Sequence, residues 1–285
     1  MDIIQQKFDN LNVTDNLDQF YTNPDIAEYC LNLLTNSCDF ELFDKILEPS
    51  AGNGAFFDLL PVNKRVGIDI DPKQEDIVKM DFFDFVHIDN KTYIVVGNPP
   101  FGKNCSLAIK FFNKAAEFAD LIAFIIPRTF KRISIQNKLN LNFSLILSED
   151  LPMKPCCFNP KMSAKCCFQI WKKNNDEPRM KVLLNNINKD FTFLPLGDKD
   201  DKKQPTPPNN ADFAIKAYGS NCGNIVTLNL DRLRPKSWHW IKSNIEIDTL
   251  IWRFNQLDFS ISKDTVRQDS IGQKELIALY NDKFL

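Results

Sequence analysis

Short apolar runs recur along the first 175 positions, separated by polar stretches. Seven have the length and β-branched or aromatic character of strands: KILEPS, RVGIDI, IVKMDFF, YIVVGNPP, LIAFIIP, FSLILSEDLP and KCCFQIW. Elsewhere the spacing becomes helical. In PDIAEYCLNLL the apolar residues Ile26, Ala27, Cys30, Leu33 and Leu34 fall on one helix face, with Asn23 placed as N-cap and Pro24 at the first helical position. SLAIKFFNKAAEFA reads as a second helix starting near Asn104 or Ser106, and the terminal SIGQKELIALYND as a third. Strands alternating with helices predict an α/β fold, a mostly parallel, doubly wound sheet over residues 1–175. The pattern changes after Trp171. The charged, Pro-rich stretches NNDEPR and LGDKDDKKQPTPPNN separate this sheet from a smaller region, residues 176–285, and the second stretch reads as a flexible surface loop.

Composition narrows the class. With 285 residues, 44% apolar and 12% aromatic, the chain can bury a substantial core. It contains no apolar run long enough to span a membrane, and MDIIQQKFDN has neither the basic nor the apolar part of an export signal. A soluble, cytoplasmic protein is expected, with its eight scattered cysteines reduced. A net charge of −2 argues against general adhesion to nucleic acid and leaves room for a local basic cleft. Cys156, Cys157, Cys166 and Cys167 stand in adjacent pairs, which point to opposite faces of a strand rather than at one ion, and His87 and His239 are isolated; no metal site is predicted.

Candidate chemistry concentrates at the carboxyl ends of the strands, where ligands of doubly wound sheets bind. KILEPS runs into a tight turn containing Gly52 and Gly54, with a helix expected from about Ala55. Asp69 closes the next strand, fifteen residues past Gly54, where a carboxylate can accept from ribose hydroxyls. The third strand ends at Asp81, a partner for an exocyclic amine, beside Phe82, an apolar face for a base. Taken in order, these ends predict a cofactor that carries adenosine. The fourth strand ends in GNPPFGKN. Pro99 and Pro100 cannot join a ladder and fix two φ angles, so the loop that presents Asn98 and Phe101 is stiff.

FYTNP, EPSAGNG, GIDID, MDFFD and GNPPFG, in this order, resemble the motifs of the S-adenosylmethionine-dependent adenine-N6 methyltransferases, in the arrangement with cofactor motifs first, the catalytic motif next and target recognition last. The resemblance covers roughly residues 20–172. It departs from many family members in having Pro49 and in lacking a third glycine nearby, although proline–small–glycine versions are common. It implies a Rossmann-like, seven-stranded methyltransferase sheet and a target-recognition role for 176–285. It implies S-adenosylmethionine held by Tyr21, Thr22, Pro24, Glu48, Pro49, Ser50, Ala51, Gly52, Gly54, Asp69, Ile70, Asp81, Phe82 and Asn98, and catalysis by Asn98, Pro99, Pro100 and Phe101. Phe158 stands where similar enzymes carry a second aromatic that flanks the flipped base.

The chemistry of the motif follows from the substrate. An adenine amino group is a poor nucleophile because its lone pair is delocalised. If the Asn98 side-chain oxygen and the Pro99 carbonyl each accept one N–H, the nitrogen turns toward tetrahedral geometry and its lone pair toward the methyl donor. An aspartate would accept more strongly, yet asparagine suffices. Phe101 would stack on the base. Arg128, Lys131, Arg132 and Lys138 cluster after the fifth strand and read either as phosphate contacts or as a solvated helix face. Farther on, Tyr218, Arg232, Arg234, Lys236, Trp238 and Trp240 mix basic and aromatic groups, which suits nucleic acid and also suits a small packed domain. The leading expectation is adenine-N6 methylation of nucleic acid, DNA ahead of RNA. Methylation of a protein glutamine amide and a non-catalytic nucleic-acid-binding module are the alternatives.

Overall fold

A computed structural model describes residues 19–285 as two compact units. Of the described residues, the first holds 19–127 and Lys138–Arg179; the second holds Arg128–Asn137 and Met180–Leu285.

In the first unit the elements are β1 (Tyr21–Thr22), α1 (Pro24–Ser37), β2 (Lys45–Glu48), β3 (Arg65–Asp69), β4 (Val78–Lys79), β5 (Tyr93–Gly97), α2 (Ser106–Ala115), β6 (Leu121–Pro127), β7 (Phe143–Asp150), β8 (Phe158–Asn159) and β9 (Cys166–Lys173). Seven strands form one sheet in the order β4-β3-β2-β5-β6-β9-β7. All pairs are parallel except those of β9, which runs antiparallel to both neighbours. The expected seven-stranded α/β sheet is therefore present, and every predicted apolar run supplies one strand. β5 and β6 are buried along their whole length, as continuous Val/Ile runs require when both faces of a parallel sheet are covered. Cys166 and Cys167 lie within β9, both buried, and all eight cysteines are free thiols. Among the described residues no group of histidine, cysteine or carboxylate side chains is arranged to hold a metal ion, and no helix is long and apolar enough to cross a membrane.

One local expectation fails, and another holds in position but not in its side-chain bond. No α-helix follows Gly54; a single turn, in which Asp58 N–H reaches the Gly54 carbonyl at 2.9 Å, leads into a 3-10 turn at Phe57–Leu59. Gly54 sits at φ +85° and Pro61 follows seven residues on, so too few residues remain for a cooperative helix. Asn23 does stand at the N-terminus of α1, but its amide makes no cap; it donates instead to the Cys156 carbonyl.

The second unit contains a four-stranded antiparallel sheet of β10 (Phe191–Leu194), β11 (Phe213–Lys216), β12 (Ile225–Val226) and β13 (Trp238–Ser243), in the order β10-β13-β11-β12. Helices α3 (Ile247–Asn255) and α4 (Gln273–Phe284) cover one face. Phe191, Phe213, Ile215 and Ile241 of the sheet meet Leu250, Phe254, Leu276 and Tyr280 of the helices. The stretch 196–210, read from composition as a flexible loop, is a hydrogen-bonded hairpin: the Gly197 N–H donates to the Thr206 carbonyl, the Thr206 N–H donates to the Asp198 carbonyl, and Asp200 Oδ1 accepts from the backbone N–H of Lys202 and Gln204.

Candidate active site

A cavity of about 450 Å³ opens in the first unit at the carboxyl ends of β2, β3, β4 and β5. Each strand end contributes one wall: Pro49, Ser50 and Gly52 after β2, Asp69 and Ile70 from β3, Asp81 and Phe82 after β4, and Asn98, Pro99, Pro100 and Phe101 after β5. Tyr21 of β1 completes it. The sequence motifs thus converge on one space.

The turn after β2 and the end of β3 are built as a unit. Gly52 adopts φ +51°, and a Cβ there would meet the Tyr21 ring at 2.9 Å, so the position admits only glycine without rearrangement. Its N–H donates to Asp69 Oδ2 at 2.7 Å, while Asp69 Oδ1 accepts from the Asp71 N–H at 2.7 Å. Each carboxylate oxygen keeps a second lone pair for a hydroxyl in the cavity. Asp81 is exposed; its Oδ1 accepts from the Phe83 N–H at 2.9 Å and so caps the turn at Phe82–Asp84.

Asn98 is pinned at two points. Its main-chain carbonyl accepts from Ser50 Oγ at 3.1 Å, and its Nδ2 donates to the Phe20 carbonyl at 3.0 Å. Its Oδ1 is buried and, among the described residues, has no hydrogen-bond partner. Such an atom is costly, about 1–3 kcal/mol when left unpaired.

Other expected site residues stand behind the cavity rather than on it. Thr22 and Ala51 are buried, Pro24 opens α1, and Gly54 closes the turn onto the Ala51 carbonyl. Glu48 is 2% exposed, and its Oε2 accepts the Phe57 N–H at 2.7 Å. Phe158 is buried in β8, where it pairs with Thr22, and packs edge-on against the Phe101 ring at 6.3 Å. It backs Phe101 and is not a second open face for a base. Arg128, Lys131 and Arg132 fall in the second unit, and Lys138 is exposed in the first. The basic cluster is not a set of waiting phosphate ligands. Arg132 is committed to Glu275 and to three backbone carbonyls, Lys131 to Asp264 at 3.6 Å, and Arg128 is not without a partner.

The cavity also takes residues that the motifs do not announce. Gln19, Leu107, Phe111 and Met162 line it from outside the motifs, and Phe20, Asp71, Met80 and Phe83 from within them, at positions to which the resemblance gives no role. Phe83, 39% exposed, is more open than Phe82 at 2%, which packs on Phe111 at 5.1 Å. The pair FF is visible in the sequence, but which ring turns outward depends on a 3-10 turn that spacing does not reveal.

Burial holds the Glu48 carboxyl well above the ordinary carboxylate range, and the charges of Asp69 and Asp58 push the same way against the Phe57 N–H. The folded state therefore keeps a proton that the unfolded chain releases near pH 4.3, so this group lowers stability progressively as pH rises above that value. Glu48→Gln keeps an acceptor and removes the titration. In thermal unfolding between pH 4 and 8, the glutamine variant should gain on wild type as pH rises; parallel curves would mean that Glu48 ionises normally.

No family model and no curated protein matches the sequence. Among solved structures, the chain is similar to a Pyrococcus horikoshii protein assigned provisionally as an RNA methyltransferase, at 18% identity and a TM-score of 0.42, over 55% of this chain and 88% of that one. It is similar to a Listeria monocytogenes protein assigned provisionally as a class I S-adenosylmethionine-dependent methyltransferase, at 15% identity and a TM-score of 0.45, over 63% and 70%. It is also similar to the 23S rRNA methyltransferase ErmE, at 14% identity and a TM-score of 0.38, over 56% and 70%. The fold itself rests on the strand order and register given above.

Proposed function

We propose that the chain is an S-adenosylmethionine-dependent methyltransferase that modifies the N6 amino group of adenine in nucleic acid, DNA ahead of RNA. The observation that carries this reading is Asn98, which lines the cavity and whose buried Oδ1 has no donor among the described residues. A ligand that brings an N–H to this atom relieves its desolvation cost, and an amino group held there in a near-attack pose is oriented before reaction. The Pro99 carbonyl is the second acceptor that the reading requires. Phe101 offers a ring at the same wall, and a base must be flipped out of a duplex to reach it.

The residues present fit the cofactor. The cavity volume lies within the usual range for small-molecule sites, about 300–1,000 Å³. Asp69 and Asp81 supply acceptors for hydroxyl and amine groups, and the Gly52 turn brings main chain to the wall. S-adenosylmethionine, when bound, supplies an electrophilic methyl group. The protein's part is to bind, to orient the amine through Asn98 and to hold the base on Phe101.

The test is incubation with tritiated S-adenosylmethionine and DNA, total RNA or protein in parallel, followed by nucleoside and amino-acid analysis. Label in N6-methyladenine of DNA is expected. Label in RNA would move the substrate, label on glutamine would replace the nucleic acid, and no label in any pool would overturn the reading. Asp69→Ala should weaken cofactor binding by about 1.5–3 kcal/mol, the range for hydrogen bonds to a charged group. Calorimetry with unchanged affinity would remove Asp69 from the site.

A further inference from the structure

We propose that residues 19–22 form a positioning strap for Asn98, in which the Phe20 carbonyl fixes the side-chain amide so that its oxygen, and not its nitrogen, is the end left to accept from a ligand. The inference rests on the function proposed above and concerns how its acceptor is held.

An asparagine amide has two nearly isosteric ends, and only the oxygen can accept from an amine. With Nδ2 donating to the Phe20 carbonyl at 3.0 Å, a flip would set two acceptor oxygens against each other and point an NH2 group at the incoming amine. The main-chain bond from Ser50 Oγ to the Asn98 carbonyl fixes the backbone but leaves the amide free to flip. Among the described residues, the Phe20 carbonyl is therefore the group that decides which end of the amide is left without a partner.

The strap that carries this carbonyl is anchored on both sides of the cavity. Tyr21 and Thr22 pair with Asn159 and Phe158 of β8. The Tyr21 ring lies against Gly52, and Gln19 Nε2 donates to Asp71 Oδ2 at 2.9 Å while accepting weakly from the Tyr21 hydroxyl at 3.3 Å. The contacts of the strap thus reach the Gly52 turn, the Asp69–Asp71 segment and the target acceptor.

This arrangement also gives a reason for asparagine at position 98. An aspartate would place an oxygen where Nδ2 donates, opposite the Phe20 carbonyl and without a proton to share. Asp69, Asp71 and Asp81, which line the same cavity, only add like charge, and Lys73 is paired with Asp71.

The test is a double-mutant cycle with a magnetic-resonance readout. At saturating cofactor, Tyr21→Ala, which loosens the strap, should slow turnover about tenfold in the wild-type background and less than twofold beside Asn98→Ala. Equal effects in both backgrounds would mean that Tyr21 acts on the cofactor or on folding alone, and would overturn the inference. Asn98→Asp should be no more active than Asn98→Ala at pH 8; activity like wild type would also overturn it. In protein labelled with ¹⁵N-asparagine, one Asn98 side-chain amide proton should be shifted downfield and exchange slowly, and Tyr21→Ala should abolish both features. A freely exchanging Asn98 amide in wild type would sink the strap even if the protein methylates adenine. Conversely, absence of methylation in every pool beside a protected, strap-dependent amide would sink the proposed activity and leave the strap standing.

Discussion

Asn98→Ala should lower turnover by about 10²- to 10³-fold, the usual consequence of deleting one preorganised hydrogen-bonding group at a reacting centre. The substitution removes the buried Oδ1 acceptor and with it the bond from Nδ2 to the Phe20 carbonyl. Stability should change little, because the loss of a net favourable bond of about 1 kcal/mol is offset by removal of an unpaired polar atom. Cofactor affinity should stay close to wild type, since the Gly52–Asp69 bond and the Asp81 cap do not involve Asn98. Phe101→Ala should differ in kind. Its ring holds the base before chemistry, so KM should rise along with a fall in kcat, by about 1–3 kcal/mol in kcat/KM. Single-turnover assays with labelled cofactor separate the two. An alanine variant at position 98 that methylates adenine at the wild-type rate would overturn the mechanism.

The sheet was legible because each of its strands is a short apolar run closed by a turn, and such runs are local. RVGIDI and YIVVGNPP end where the chemistry begins, so the strand reading and the site reading reinforced each other. Helix α1 was equally local: one apolar face and a proline at its first position. What escaped depends on pairs far apart in sequence. The Phe20 carbonyl meets Asn98 across 78 positions. Composition cannot say that the 196–210 stretch closes on itself, because the bonds that tie it run between backbone groups. From sequence alone an aspartate at 98 looks better than an alanine, being the stronger acceptor; the carbonyl opposite Nδ2 is a reason to expect no such advantage. Phe158 shows the opposite error, a residue placed correctly near the site whose ring turns out to support a neighbour.

Arg132 is the sharpest case, and its substitution should produce the largest loss of stability. Read as sequence, it belongs to a basic cluster suited to phosphates. In the folded chain its guanidinium donates from Nε to the Asp264 carbonyl at 2.6 Å, from Nη1 to Glu275 Oε2 at 3.1 Å, and from Nη2 to the carbonyls of Ile261 and Ser270. The side chains of Arg132 and Glu275 are each only 12% exposed. Glu275 in turn caps α4 through the Gly272 N–H at 2.8 Å, so one residue holds the helix start and the loop before it together. Arg132→Ala leaves the poorly solvated Glu275 carboxylate without its arginine and removes a donor from three carbonyls, of which Ile261 keeps the Asp264 N–H. Breaking a largely buried pair in this way costs about 3–5 kcal/mol. Arg132→Lys should recover only part of it, since an ammonium cannot reproduce the planar fork. Denaturant unfolding of the full chain, followed by a probe in the second unit, measures the loss. A phosphate contact predicts something else: unchanged stability, and a salt dependence of nucleic-acid binding flatter by about 0.7 to 0.9 in the log–log slope. That second result would return Arg132 to the nucleic-acid surface and remove it from the core of the second unit.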